Sequence, residues 1–149
     1  MTNRRSKVSD YEVLAEMLCE LTRQCGIKED FFARSFSLSP TEVRLLKLFA
    51  FSDIYTVKEI REKLKITPGR VTHIISTLEE KKLIRRLKDT TDRRSIKISL
   101  TPGASPFIRN LRRNYSRLHK DILKSISKEE MKKIYFSLGV LNDVFRKWI

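Results

Sequence analysis

TVKEIREKLKITPGRVTHIISTLEEKKLIRRLKDTTDRRSIKISLTP, residues 56–102, changes its periodicity twice, and the order of those changes decides the fold. Behind Thr56-Val57-Lys58-Glu59, apolar residues recur at helical spacing as Val57, Ile60 and Leu64. The tetrapeptide is a capping box: the hydroxyl accepts from the N3 amide, and the glutamate reaches back to the N-cap amide. Lys65-Ile66-Thr67-Pro68 then makes a tight turn, with Ile66 as a plug between two helices. Thr67 caps the second helix, and Pro68 sits at N1, where its missing N–H is harmless. Val71, Ile74, Ile75 and Leu78 share one face of that helix. Next come Leu83-Ile84-Arg85-Arg86-Leu87, a β-compatible run, and Ser95-Ile96-Lys97-Ile98-Ser99-Leu100, whose alternation predicts a strand with one buried face. The polar stretch between them, Lys88 to Arg94, is a hairpin tip. Short helix, tight turn, helix and basic hairpin together make a winged helix-turn-helix.

In that arrangement the second helix is the recognition helix. Its inward apolar face leaves Gly69, Arg70, Thr72, His73, Ser76 and Thr77 exposed, where they would meet base edges in the major groove. Arg70 suits guanine O6 and N7, and Thr72 and Ser76 can reach bases or phosphates. Gly69 permits close approach of the backbone to DNA. The positive end of the helix favours a phosphate nearby.

Outward from this core, three more capping boxes mark helix starts: Ser9-Asp10-Tyr11-Glu12, Ser39-Pro40-Thr41-Glu42 and Ser127-Lys128-Glu129-Glu130. Thr101-Pro102 is a cap-plus-proline start without the box. The first helix carries Tyr11, Leu14, Ala15, Leu18 and Leu21 and is expected to end near Gly26. The helix after Ser39 carries Val43, Leu45, Leu46, Leu48 and Phe49; being apolar on most sides, it should be central. The fifth carries Phe107, Leu111, Tyr115, Leu118 and Ile122. The last carries Met131, Ile134, Tyr135, Leu138, Leu141, Phe145 and Trp148, a stripe that continues to its final turn and motivates a dimer. The expected fold is mainly α with a small β-hairpin wing. One domain spans residues 1–149, with the winged helix-turn-helix at about 38–101 and dimerisation helices at about 8–26 and 102–149.

Composition narrows the function. The 149 residues hold 32 Lys+Arg against 18 Asp+Glu, a net charge of +14 that points to an anionic partner. The excess is uneven: −1 over residues 1–30, +2 over 31–80, +6 over 81–106 and +7 over 107–149. No apolar run reaches the roughly 18–20 residues that cross a bilayer, and no signal-peptide pattern opens the chain. With only two cysteines, the expectation is a cytoplasmic protein with no membrane partner. There is no P-loop, nucleophile elbow or dinucleotide fingerprint, and His73 and His119 sit in no ligand pattern. Neither catalysis nor a cofactor or metal is expected.

Residues 38–46, residues 71–84 and the stretch Asp92-Arg93-Arg94-Ser95 through Leu100-Thr101 resemble the MarR family of bacterial transcriptional regulators. The resemblance implies a homodimer that binds double-stranded DNA at a near-palindromic operator, usually to repress nearby genes. It also implies that Arg94, beside Arg93 at the wing tip, enters the minor groove, with Asp92 orienting Arg94 through a charge-assisted hydrogen bond. A narrow A·T-rich groove concentrates negative potential and suits a guanidinium. There are two departures from the family pattern. Lys82 stands where a glycine is common, which requires a left-handed conformation at some strain. Pro106 is an extra proline that would delay or kink the fifth helix.

Some relatives sense oxidants through an N-terminal cysteine, which makes Cys19 and Cys25 redox candidates. Six residues along a helix is a rotation of about 240°, however, so the two thiols would not share a face. Resembling proteins also bind small aromatic or anionic effectors. Phe31, Phe32, Phe36, Tyr11, Phe49 and Phe51 would line such a pocket, or else simply pack as core. Arg109, Arg113, Arg117, Lys120 and Lys124 form a basic stripe on the fifth helix, read as either a solvated face or a phosphate contact. Two competing functions use the same fold: a protein-interaction adaptor, and a non-specific nucleic-acid-binding protein.

Overall fold

A computed structural model of the chain describes residues 9–88, 90–92 and 94–149. In chain order the elements are α1 (Asp10–Ser35), α2 (Pro40–Leu48), β1 (Ile54–Thr56), α3 (Val57–Leu64), α4 (Pro68–Glu80), β2 (Ile84–Lys88), β3 (Ile96–Leu100), a 3-10 turn (Pro102–Ala104), α5 (Ser105–Leu123) and α6 (Lys128–Trp148). They form two compact units, one through Arg109 and one from Asn110 to Ile149.

All four capping boxes close in both directions, at Ser9/Glu12, Ser39/Glu42, Thr56/Glu59 and Ser127/Glu130. The Thr67 hydroxyl accepts from the Arg70 amide at 3.3 Å. Thr101 departs from expectation, because its side chain caps no helix. Its hydroxyl instead donates to the Lys82 carbonyl at 2.7 Å, and its N–H donates to the Leu83 carbonyl at 3.0 Å. The residue therefore ties the end of β3 to the start of β2. A 3-10 turn follows, and α5 begins only at Ser105, with Pro106 in its first turn.

The first helix does not end near Gly26; α1 continues to Ser35. A lone glycine lowers helix propensity by about 1 kcal/mol but does not stop the chain. The helix is ended by a left-handed residue, Ser37, at φ 55°. Leu38 N–H donates to the Ala33 carbonyl at 2.9 Å, and Ser37 N–H donates to the Arg34 carbonyl at 3.0 Å. This is a Schellman motif, with Ala33 and Leu38 buried across it. The same device ends α4. Lys82 lies at φ 59°, its N–H meets the Glu79 carbonyl at 2.9 Å, and Leu83 N–H meets the Leu78 carbonyl at 3.1 Å. Lys65, at φ 51°, ends α3, while none of the glycines has positive φ.

A left-handed conformation disfavours any residue with a Cβ by about 1–2 kcal/mol, partly offset by the unfolded-state freedom that glycine adds. Lys82→Gly is thus expected to stabilise the fold by about 0.5–1 kcal/mol. Lys82→Val should destabilise it, since a β-branched residue at φ > 0 is a true outlier. Urea unfolding of the two variants checks both signs.

The hairpin forms as expected, with β2 and β3 antiparallel from Ile84↔Leu100 to Lys88↔Ile96. A third strand joins it: β1 pairs antiparallel with β3 through Ile54↔Ser99, Tyr55↔Ile98 and Thr56↔Lys97, giving the order β1-β3-β2. Three residues are too few to show an alternation, so periodicity did not reveal this strand. Buried Tyr55 anchors it: the phenol donates to the Leu48 carbonyl at 2.7 Å, and the ring meets Phe49 edge-on at 5.4 Å. The core beneath is made of Leu45 and Leu46 from α2, Ile60 from α3, Ile75 and Leu78 from α4, and Ile84 and Ile98 from the sheet. As expected, α2 is central.

Of the six aromatics read as either pocket or core, Phe32 and Phe49 are core. Phe32 is buried and lies 5.2 Å from Phe36, which meets Phe107 edge-on at 5.7 Å, whereas Tyr11, Phe31 and Phe51 are exposed. The last helix, α6, has no buried residue, and Leu138, Phe145 and Trp148 all face outward. Leu14, Met17, Leu21 and Ile27 of α1 are exposed as well. Among the described residues, no helix is long and apolar enough to cross a membrane.

Candidate nucleic-acid interface

Val71, Ile74, Ile75 and Leu78 fix the orientation of α4 by burial. Gly69, Arg70, Thr72 and His73 are then exposed along its first turns, as expected. Ser76 and Thr77 are only half-buried, and internal bonds account for both. The Thr77 hydroxyl donates to Glu42 Oε1 at 2.6 Å, so this side chain is turned toward α2. Ser76 Oγ accepts from Arg86 Nη2 at 3.3 Å, and Arg86 Nε donates to Glu79 Oε1 at 3.0 Å. Arg86 therefore links β2 of the wing to the back of the recognition helix.

The exposed residues differ in how they are held. Arg70 Nη2 donates to the hydroxyl of buried Thr41 at 3.3 Å, which tethers the guanidinium to the start of α2. The Thr72 hydroxyl donates to the Pro68 carbonyl at 3.0 Å, a bond within its own helix that water or DNA can replace. A Cβ added at Gly69 would meet nothing within 4 Å, so no internal packing requires glycine there.

The residue that ties this surface to the rest of the unit is Glu42, which the sequence marked only as a capping-box partner. Its side chain is 5% exposed. Oε2 accepts from the Ser39 amide at 2.8 Å, Oε1 from Thr77, and both oxygens from Lys81 Nζ, at 3.1 and 2.9 Å. Lys81 Nζ also donates to the Ser37 carbonyl at 2.9 Å. One carboxylate thereby joins the end of α1, the start of α2 and the last turns of α4. Burial pushes the Glu42 carboxyl up, but the hydrogen bonds from Thr77, Lys81 and Ser39, with the charge of Lys81, outweigh it and hold the group below its ordinary value.

At the wing, Asp92 Oδ1 accepts a hydrogen bond from Arg94 at 2.9 Å, but from the backbone amide rather than the guanidinium. Ser95 N–H donates to the Asp92 carbonyl at 3.1 Å. The aspartate thus closes the turn from which exposed Arg94 projects, orienting the main chain instead of the side chain. Arg93 lies outside the described residues.

Cys19 and Cys25 are both free and exposed on α1. Because α1 continues to Ser35, the rotation of about 240° between them applies and their thiols point apart. Among the described residues, no three His, Cys, Asp or Glu side chains gather as a metal cluster would.

Comparison with known proteins adds the following. The sequence model of the MarR family matches residues 38–96. The uncharacterized HTH-type transcriptional regulator YcgE of Bacillus subtilis is 26% identical over 138 residues, spanning 90% of each chain. The transcriptional regulator ZitR of Lactococcus lactis subsp. cremoris is 30% identical over 112 residues, 73% of this chain and 77% of its own. The crystal structure of Streptococcus pneumoniae FabT in complex with DNA is similar at a TM-score of 0.79 and 22% identity, covering 94% of this chain and 100% of that one. At that identity the likeness is one of fold.

Proposed function

Because the chain belongs to the MarR family of DNA-binding transcriptional regulators, we propose that it is a sequence-specific repressor. In this reading it acts as a homodimer on a near-palindromic operator. The observation that carries the reading is the exposed row Gly69, Arg70, Thr72 and His73 on a helix whose opposite face is locked in the core. Arg70 and Thr72 would read base edges in the major groove, His73 would add a polar contact, and Gly69 would let the helix start approach a phosphate. Arg94, held out by the Asp92 turn and accompanied by Arg93, would enter the minor groove. Ser76 and Thr77 would act indirectly, by fixing α4 against the wing and against α2. The winged helix-turn-helix at about 38–101 is the DNA-binding part, and α1, α5 and α6 are the dimerisation part.

Dimerisation is supported by the outward apolar residues of α1 and α6. Leu14, Leu21, Leu138, Phe145 and Trp148 are exposed in the single chain, and a second copy would bury them. Sedimentation should therefore find a dimer at micromolar concentration; a folded monomer would contradict the reading. Effector control would act by linkage: a small aromatic or anionic molecule that prefers a spacing of the two DNA-binding parts unsuited to DNA lowers operator affinity. This part of the reading rests on family membership.

The test is binding to the DNA upstream of the gene, measured by fluorescence anisotropy and footprinting. Affinity should fall by roughly 10³ or more between 50 and 200 mM salt, with one bounded protected site. A flat salt response, or equal affinity for random DNA, would refute a sequence-specific repressor.

A further inference from the structure

The exposed face of α5 is the strongest charged feature that the recognition surface leaves unused. Arg109, Arg113, Arg117, Lys120 and Lys124 are all exposed. At about 100° per residue the four within α5, Arg109, Arg113, Arg117 and Lys120, fall within an arc of about 80°, in a row about 16 Å long, and Lys124 follows in the turn after the helix. The opposite face carries buried Ile108 and Leu111, with Tyr115 and Leu118 half-buried. Asp121 is the only acid in the helix. It stands four residues after Arg117, yet no ion pair joins any of the five cations to a carboxylate among the described residues. Successive members of the row are three or four residues apart, the spacing at which like charges repel on a helix. A face serving only solubility would mix signs and avoid that repulsion.

We propose that this row is a second, sequence-independent contact surface for duplex DNA, acting through its phosphates; the proposal rests on the DNA-binding reading above. Three features choose the partner. Three of the five cations are arginines, whose planar forks suit phosphate oxygens. The row has no aromatic or apolar anchor among its charges, whereas a protein interface concentrates its binding energy in such anchors. A membrane surface would need the apolar side of the helix along its length, but Ile108 and Leu111 are buried and Tyr115 and Leu118 half-buried, which leaves exposed only Ile122 and Leu123 in the last turn.

The experiment compares two full-length variants that each remove four positive charges. One carries Arg113→Gln, Arg117→Gln and Lys120→Gln in α5 and Lys124→Gln in the turn that follows it. The other carries Lys128→Gln, Lys132→Gln, Lys133→Gln and Lys147→Gln in α6, and it measures the effect of net charge alone. Glutamine is a good helix former, so both should fold, as circular dichroism and thermal unfolding would verify. Binding to a duplex of unrelated sequence is then followed from 50 to 200 mM salt. Each lost phosphate contact lowers the slope of log K against log salt by about 0.9, so the α5 variant should lose about 2–4 units of slope relative to the α6 variant. Its preference for operator over unrelated DNA should be kept or increased.

Equal slopes for the two variants would overturn the proposal. So would an unchanged DNA slope accompanied by loss of binding to polyglutamate, which would assign the row to an acidic protein. A wild-type chain with no salt-dependent DNA binding would instead sink the underlying DNA-binding reading, so the two failures are distinguishable.

Discussion

Arg94→Ala should weaken operator binding by about 10²-fold or more while leaving the fold intact. The side chain is exposed on the turn closed by Asp92, so its removal opens no cavity and leaves no buried partner unsatisfied. A guanidinium in the groove supplies about 1–3 kcal/mol of binding, and in a homodimer the loss occurs twice at well-separated sites, so the terms add. The sum, about 2–6 kcal/mol, brackets the expected loss. Discrimination should relax at the A·T-rich positions facing the wing, because a narrow minor groove is what the guanidinium reads there. Asp92→Ala should have the same sign and a smaller effect: it frees the turn but leaves the arginine charge available. Anisotropy titrations on operator and mutated-operator duplexes measure both. Wild-type affinity in Arg94→Ala would remove the wing from the mechanism.

Glu42→Ala should destabilise the protein by about 2–4 kcal/mol, which makes it the largest stability effect expected from a single polar side chain here. The carboxylate is nearly inaccessible and accepts from Ser39, Thr77 and Lys81 together. Removing it strips the N-cap amide of α2, leaves the Thr77 hydroxyl only the Ile74 carbonyl at 2.9 Å as acceptor, and deprives the ammonium of Lys81 of its counter-charge. Lys81 is 39% exposed, so water recovers part of that loss, and the figure is set below that of a fully buried pair.

The pH dependence follows in sign. The carboxyl is held below its ordinary value in the folded chain. Its contribution is therefore complete above the unfolded value of about 4.3 and is lost as pH falls through the lower folded value. The stability gap between wild type and Glu42→Gln should be widest near neutrality and should shrink in acid. Urea midpoints at pH 7, 5 and 3.5 measure that gap, and a gap independent of pH would show that Glu42 is not the titrating group. Operator affinity of the alanine variant should also fall, because α4 loses the link that fixes it to α2 and to the end of α1.

The parts of the molecule that were legible in the sequence share a length scale. Capping boxes bond across three residues, and Ser9, Ser39, Thr56 and Ser127 all closed as their tetrapeptides indicated. Helical periodicity repeats within a few residues, so the buried face of α4 could be read directly, whereas β3 departs from its alternation: Ile98 and the adjacent Ser99 are buried and Ile96 is exposed. The left-handed Lys82 was expected from the family resemblance, in which a glycine is common at this junction, and the structure has it at φ 59°. Among the candidate site residues, Gly69, Arg70, Thr72 and His73 lie where the helical period put them. Ser76 and Thr77 do not, because period alone cannot tell an outward position from one covered by a neighbouring element.

The sequence by itself determined the order of elements, the helix starts, the inward face of the recognition helix and the basic wing, because each follows from bonds and periodicities spanning one or two turns. Only the tertiary structure decided where α1 stops, that β1 joins the sheet and that Thr77 serves Glu42. The stop of α1 depends on a left-handed Ser37 and on burial of Leu38 against Ala33. The Glu42 junction depends on partners 35 and 39 residues away. Their geometry exists only once hydrophobic packing has brought α1, α2 and α4 together, and a local pattern in the chain carries no trace of it.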